Sequence, residues 1–354
     1  MVGLRSPRQV RAALAAVAVT IAGCSGGGDG ETTPLSDHLI VSLGDSVASG
    51  EGNPDRPARV GRPAEWTSRR CHRSGRSGPA LAAREVAGDD LGRVVLLGCS
   101  GATIQTGLLR PYAGIEPSAD DSLERAQVRA LADLAGENSI DAVLIDIGAN
   151  DVGFARIVQF CVLSVGPCWK NRFDPRPGEP GPRVVLEQQV PREIEELGRD
   201  YARLAGALNE IVPASRVIVV EYFDPTGTTA GRGCTMFLGG VTPAESLWAR
   251  EHILFPLNRQ IRESADRFGW RVVDGVDERF AEHGICAPER WVVTAGESIN
   301  DQGIPLFGSL LDRQTRRELL ASYKGTLHPN PEGHRQIAEL IRPVLEAVVD
   351  GPSG

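Results

Sequence analysis

Short apolar runs alternate with amphipathic stretches along most of the chain. Leu39–Leu43 (LIVSL), Val94–Leu97, Ala142–Ile147 (AVLIDI), Arg216–Tyr222 (RVIVVEY) and Trp270–Val273 are brief apolar segments, which predicts buried strands. Between them, Pro79–Val86 and Ala126–Leu134 read as helices, and Glu245–Phe268 as mostly helical. Ile194, Leu197, Tyr201, Leu204, Leu208 and Ile211 are spaced by three and four, the buried face of an amphipathic helix. The last helix is marked by its start. Asn330 can cap it and Pro331 suits its first position. Ile337, Leu340, Ile341, Val344, Leu345 and Val348 then form its apolar stripe. Gly52–Trp66 reads as a surface loop, and the prolines of Phe173–Arg183 exclude regular structure there. The segments Glu51–Arg70 and Asp151–Arg183 are expected to be long loops that wall a pocket. Strands alternating with helices imply an α/β fold, a parallel sheet with helices on both faces. Ligands bind such sheets at the carboxyl ends of the strands. No internal repeat or change of composition divides residues 38–350, which are expected to form one domain.

The first 37 residues follow another pattern. Arg5, Arg8 and Arg11 precede an apolar run, Ala12–Ala22, too short for a permanent membrane span. Residues 1–23 are expected to be an export signal. Ile21-Ala22-Gly23-Cys24 resembles a bacterial lipobox, so Cys24 is expected to be lipidated and to become the first mature residue. The plainer alternative is an ordinary secretory signal with a chance cysteine. Residues 24–37, with the Gly-rich Ser25–Thr33, read as a flexible tether.

Composition narrows the function classes. The formal charge is −8 and no basic block stands out, so nucleic acid is not an expected partner. A 41% hydrophobic content is too high for a disordered chain. Of the seven cysteines, Cys24 is set aside, and Cys71, Cys99, Cys161, Cys168, Cys234 and Cys286 form an even set. In an exported protein these read as disulfides, with the pairing open. A metal is not expected, because no C-x-x-C pair exists and the histidines are scattered.

Candidate chemistry falls at strand ends. Gly44-Asp45-Ser46 follows the first strand, Cys99-Ser100-Gly101-Ala102 the second, and Gly148-Ala149-Asn150-Asp151 the third. Each could be an ordinary turn of Gly, Asn and Asp. Together they place a hydroxyl, a glycine that lets a backbone N–H approach closely, and a neutral amide at one sheet edge, the elements of an oxyanion site. The nucleophile elbow G-x-S-x-G is absent, because Ala48 stands where it needs glycine. His328, before Pro329 and the Asn330 cap, is the candidate base for Ser46. His334, in the first turn of the helix, reads as a packing or solvent-facing residue. Trp66, Trp169 and Trp291 lie in loop-like segments and could line a cleft, with scattered packing the plainer reading.

In this order, Gly44-Asp45-Ser46, Gly101, Gly148-x-Asn150-Asp151 and His328 resemble the four blocks of the SGNH (GDSL) hydrolase superfamily. Ser49-Gly50-Glu51-Gly52, Cys71-His72-Arg73-Ser74 and the six cysteines are similar to its secreted actinobacterial lipase and esterase branch. The resemblance implies a flavodoxin-like three-layer αβα sandwich with a mainly parallel five-stranded sheet. It implies disulfides Cys71–Cys99, Cys161–Cys168 and Cys234–Cys286. It makes Ser46 the nucleophile and His328 the general base. The N–H groups of Ser46 and Gly101, with the Asn150 side chain, become the oxyanion hole. One position departs from the pattern. The Asp that usually stands three residues before the histidine is Gly325 here. A backbone carbonyl within Lys324–Leu327 is expected to orient His328, with a distant carboxylate such as Asp312 or Asp301 as the alternative. The expectation is an exported serine esterase or lipase. It needs no cofactor, acts as a monomer on a lipid or small acyl ester, and touches the membrane only through Cys24. A deacetylase or acyltransferase of envelope glycans, and a non-catalytic surface lipoprotein, are the other readings.

Overall fold

A computed structural model describes residues 38–59, 62–87, 93–116, 122–174, 183–227, 233–236, 240–301 and 325–351. Cys24, the tether and Asp312 lie outside these residues, and so does the side chain of Asp301.

Five strands, β1 (Ile40–Gly44), β2 (Val94–Leu96), β3 (Ala142–Asp146), β6 (Val217–Val220) and β7 (Arg271–Val273), form one sheet in the order β2-β1-β3-β6-β7. Every pairing in it is parallel. β1, β3 and β6 are buried along their whole length, which explains why they read as unbroken apolar runs rather than alternating ones. A short antiparallel pair, β4 (Arg172–Phe173) and β5 (Val184–Val185), lies outside the main sheet.

Helices cover both faces. α2 (Gly78–Ala87) packs on the last helix, α10 (Pro331–Val349), and α5 (Leu186–Asn209) packs on α7 (Phe255–Phe268). Right-handed crossovers account for this division. The connection from β1 to β2 runs one way along the sheet, while those from β2 to β3, β6 and β7 run the other way. Their helices therefore fall on opposite faces, giving a three-layer αβα sandwich. α10 starts as its sequence predicts, with Asn330 Oδ1 accepting the Glu332 and Gly333 N–H groups. The buried stripe of α5 includes Leu197, Tyr201, Leu204 and Leu208.

Two expectations are corrected. Asp151–Arg183 is not one long loop, because Phe154–Leu163 forms helix α4 with Ile157 and Cys161 buried. Phe173, assigned to irregular chain, is a buried residue of β4. The prolines of that stretch lie outside the described residues. The tryptophans pack. Trp66 stacks on His72, Trp169 on Trp248, and Trp291 on His283.

The structure contains disulfides Cys71–Cys99, Cys161–Cys168 and Cys234–Cys286. The first joins the segments that carry His72 and Ser100. By closing a loop across a sequence separation of 28 it contributes about 3.6 kcal/mol through the entropy of the unfolded chain.

Candidate active site

The chain reverses its direction of travel along the sheet between β1 and β3, the position where open α/β sheets form a crevice. The segments that follow these two strands and β2 meet there.

Ser46 opens a one-turn helix, α1 (Ser46–Ser49), immediately after β1. Its neighbours are tightly held. Gln127, at the start of α3 (Gln127–Glu137), clamps Gly44 with both ends of its amide. Its Oε1 accepts the Gly44 N–H at 2.7 Å and its Nε2 donates to the Gly44 carbonyl at 2.9 Å. Gly44 has φ +140°, and a Cβ there would lie 2.1 Å from the Asp146 carbonyl oxygen, so only glycine lets β1 turn this close to β3. Asp45 caps α1 by accepting the Val47 N–H at 3.1 Å. Its other carboxylate oxygen accepts the Tyr222 hydroxyl at 2.6 Å, and that hydroxyl oxygen accepts the Ala149 N–H at 3.2 Å. Tyr222 thus couples the Ser46 turn to the Asn150 turn. Burial pushes the Asp45 carboxyl up to about 7, against the hydrogen bond from Tyr222.

The turn after β2 carries Gly101, with φ +82°. A Cβ on it would come within 2.4 Å of the Tyr112 hydroxyl oxygen. Asn150 Nδ2 donates to the Ala102 carbonyl at 3.0 Å, and Asp151 Oδ1 accepts the Ile104 N–H at 3.0 Å. The turns after β2 and β3 are thereby fastened to each other. Ser46, Gly101, Asn150 and His328 all remain partly accessible.

His328 comes from the far end of the chain. Leu327 before it has φ +66°, an uncommon conformation for a non-glycine residue. The neighbouring backbone holds it there. Leu327 N–H donates to the Val293 carbonyl, Val293 N–H to the His328 carbonyl, and Asn330 N–H to the Trp291 carbonyl. His328 Nε2 then lies 2.7 Å from Ser46 Oγ, and Nδ1 lies 3.1 Å from the Thr326 carbonyl oxygen. A carbonyl can only accept, so Nδ1 carries the proton and Nε2 presents its lone pair to the Ser46 hydroxyl. The group placed against Nδ1 is thus the Thr326 carbonyl, within Lys324–Leu327. Burial lowers the pKa of His328, favouring the neutral ring, while the Glu51 charge pulls the other way.

His334 is a packing residue and does not face solvent. Its Nδ1 accepts the Gly78 N–H and its Nε2 donates to the Glu51 carbonyl, at 3.1 Å each. Burial pushes it down to about 4, so it stays neutral. Sequence reasoning missed Gln127 and Tyr222 as site supports. Both sit in apolar or helical stretches, and their partners lie far away in the chain.

Residues 42–336 match the model of the GDSL-like lipase/acylhydrolase family. A lipase from Streptomyces rimosus is 24% identical over 252 residues, covering 71% of this chain and 75% of that protein. Among solved structures, an extracellular lipase from Streptomyces rimosus superposes with a TM-score of 0.55 at 20% identity, covering 88% of this chain and 99% of that one.

Proposed function

The chain belongs to the GDSL-like lipase/acylhydrolase family and is a carboxylic ester hydrolase, and on that premise we propose that Ser46 and His328 perform its chemistry as a dyad. The observation that carries this reading is the 2.7 Å contact between Ser46 Oγ and His328 Nε2. His328 takes the Ser46 proton as Oγ attacks the ester carbonyl. The resulting oxyanion is met by the N–H groups of Ser46 and Gly101 and by the Asn150 amide. Neutral donors stabilise the charge that develops in the transition state without binding the ground state equally strongly. His328 next protonates the leaving alcohol. Water, deprotonated by His328, then releases the acid from the acyl-serine and restores the hydroxyl.

The substrate in this reading is a lipid or small acyl ester. Trp66, Trp169 and Trp291 each stack on another ring of the protein, which leaves no aromatic platform assembled from them and favours an acyl ester over the glycan substrate of an envelope deacetylase. Three disulfides support an oxidising, extracytoplasmic location. In the same reading residues 1–23 direct export, Cys24 carries a lipid, 24–37 form the tether and 38–350 the catalytic domain. The test is rapid-mixing hydrolysis of p-nitrophenyl esters of increasing chain length by the purified, oxidised protein. The dyad predicts a burst of nitrophenol close to one equivalent on the better esters. Hydrolysis confined to acetylated sugars would favour the deacetylase.

Two further results follow from the geometry. Asn150→Ala lowers kcat by about 10²–10³-fold, the usual effect of losing one oxyanion donor. The lost bond to the Ala102 carbonyl costs only about 1 kcal/mol of stability, so thermal unfolding alongside the kinetics separates the two effects. The second result concerns pH. The base must be neutral to act, and burial lowers the His328 pKa. In a pH series, kcat/KM therefore rises through a midpoint below 6.5, the ordinary histidine value, and holds at neutral pH.

A further inference from the structure

Glu51 is only 2% exposed and lies beneath the turn that carries His328. A buried carboxylate is costly unless it is paired. His72 Nδ1 lies 2.8 Å from its Oε2 and 3.0 Å from its Oε1, and the Ser100 hydroxyl donates to Oε2 at 2.6 Å. Ser100 also contacts the Ser49 hydroxyl at 3.0 Å, and Ser49 donates to the Ser46 carbonyl at 2.9 Å. Glu51 is therefore tied by its carboxylate to the residue before Gly101 and, through its own N–H donating to the Ser46 carbonyl at 2.9 Å, to the Ser46 turn. On its other side, a Cβ at Gly325 would lie 3.6 Å from Glu51 Oε1, and one at Gly52 would lie 3.3 Å from the His328 Cβ. Glu51 and Gly325 line one small cavity with Trp66, Val293 and Ser298.

Resting on the Ser46–His328 dyad above, we propose that Glu51 is a positioning residue for the reaction. Its carboxylate supplies, from behind the Gly325–His328 turn, the negative charge that a carboxylate at position 325 would otherwise supply, and it braces the Ser100–Gly101 turn. The two placements exclude each other, because an acid at 325 would face Glu51 in a nearly dry site, and like carboxylates there cannot both ionise readily.

The charges around Glu51 fit this task. His72 bridges it to Glu116, whose Oε1 lies 3.0 Å from His72 Nε2, and Arg69 donates to Glu116 from the surface at 2.7 Å. Burial works against the charged form of His72, but Glu51 and Glu116 outweigh it and hold His72 at about 9. Burial likewise works against ionised Glu51. The charge and hydrogen bond of His72, the charge of His328 and the Ser100 bond outweigh it and leave Glu51 below its ordinary value. His334 meets only the Glu51 backbone carbonyl and is neutral. Glu51, Glu116, His72 and Arg69 balance in charge, but Glu51 acts on His328 more strongly than the opposing His72 charge and favours a positive His328 when it accepts the Ser46 proton.

The test compares Gly325→Asp with its neutral isostere Gly325→Asn, each with Glu51 present and in a Glu51→Gln background, in the full oxidised chain. Glu51→Gln alone is expected to lower kcat by about tenfold and to move the acid limb of kcat/KM to lower pH, because the imidazolium loses support. With Glu51 present, Gly325→Asp is less active than Gly325→Asn. In Glu51→Gln the order reverses and Gly325→Asp recovers activity. A merely structural Glu51 gives no such reversal. Gly325→Asp matching or exceeding Gly325→Asn while Glu51 is present would overturn the proposal, and that pair decides even if Glu51→Gln does not fold. So would an unmoved acid limb in folded Glu51→Gln. If the unmutated protein neither hydrolyses esters nor takes a covalent label on Ser46, the dyad reading fails instead.

Discussion

His328→Ala is expected to lower kcat/KM by about 10⁴–10⁶-fold while the protein keeps its fold. The imidazole makes three distinct contributions through two ring contacts. The Thr326 carbonyl fixes its tautomer, Nε2 takes the serine proton, and the same nitrogen returns a proton to the leaving alcohol. Among the described residues, neither His334 nor His72 can substitute. His334 is turned to Gly78 and Glu51, and His72 is locked between two carboxylates. The ring adds little to stability, since its loop is stapled by backbone bonds to residues 291–293 that alanine keeps. Steady-state kinetics with circular dichroism checks both halves. A loss below a hundredfold would mean that another base serves Ser46.

Ser46→Ala removes the nucleophile itself and is expected to cost a similar factor, about 10⁴–10⁶ in kcat/KM. The informative outcome is the double variant. Serine and histidine act as one unit, so Ser46→Ala with His328→Ala should be scarcely worse than either alone. Residual turnover in all three would come from the donors of residue 46, Gly101 and Asn150, which the substitutions leave in place. Independent, multiplying losses would show that the two residues do not share a step.

The strands were legible in the sequence because each is a short apolar run, and the turns after β1, β2 and β3 because those runs stop at glycine, at Gly44, Gly98 and Gly148. Glycine there has a physical necessity. At Gly44 and Gly101 the space of a Cβ is already taken by Asp146 and Tyr112. The His328 orienter was legible only as a segment, since Gly325 removes the usual carboxylate but a backbone carbonyl leaves no mark on residue identity. α4 was hidden by the proline-rich stretch after it. Phe154, Ile157, Val158 and Cys161 carry helical spacing, yet they were read together with the proline-rich sequence that begins a dozen residues later. Gln127 and Tyr222 could not be read at all, because their roles depend on partners 83 and 73 or more residues away. Glu51 and His72 stood in phrases that suggested a family. Their contact with each other and with the Ser100 turn, which Cys71–Cys99 joins to the His72 segment, became visible only in the fold.

The decisive measurement is covalent labelling of the oxidised, folded protein with a fluorophosphonate, with the adduct mapped by peptide mass spectrometry. One adduct on the Ser46 peptide, forming faster as pH rises through the His328 titration and absent from Ser46→Ala, is the predicted result. An unlabelled Ser46 in folded protein with its disulfides intact, or an adduct on a different serine, would contradict the dyad.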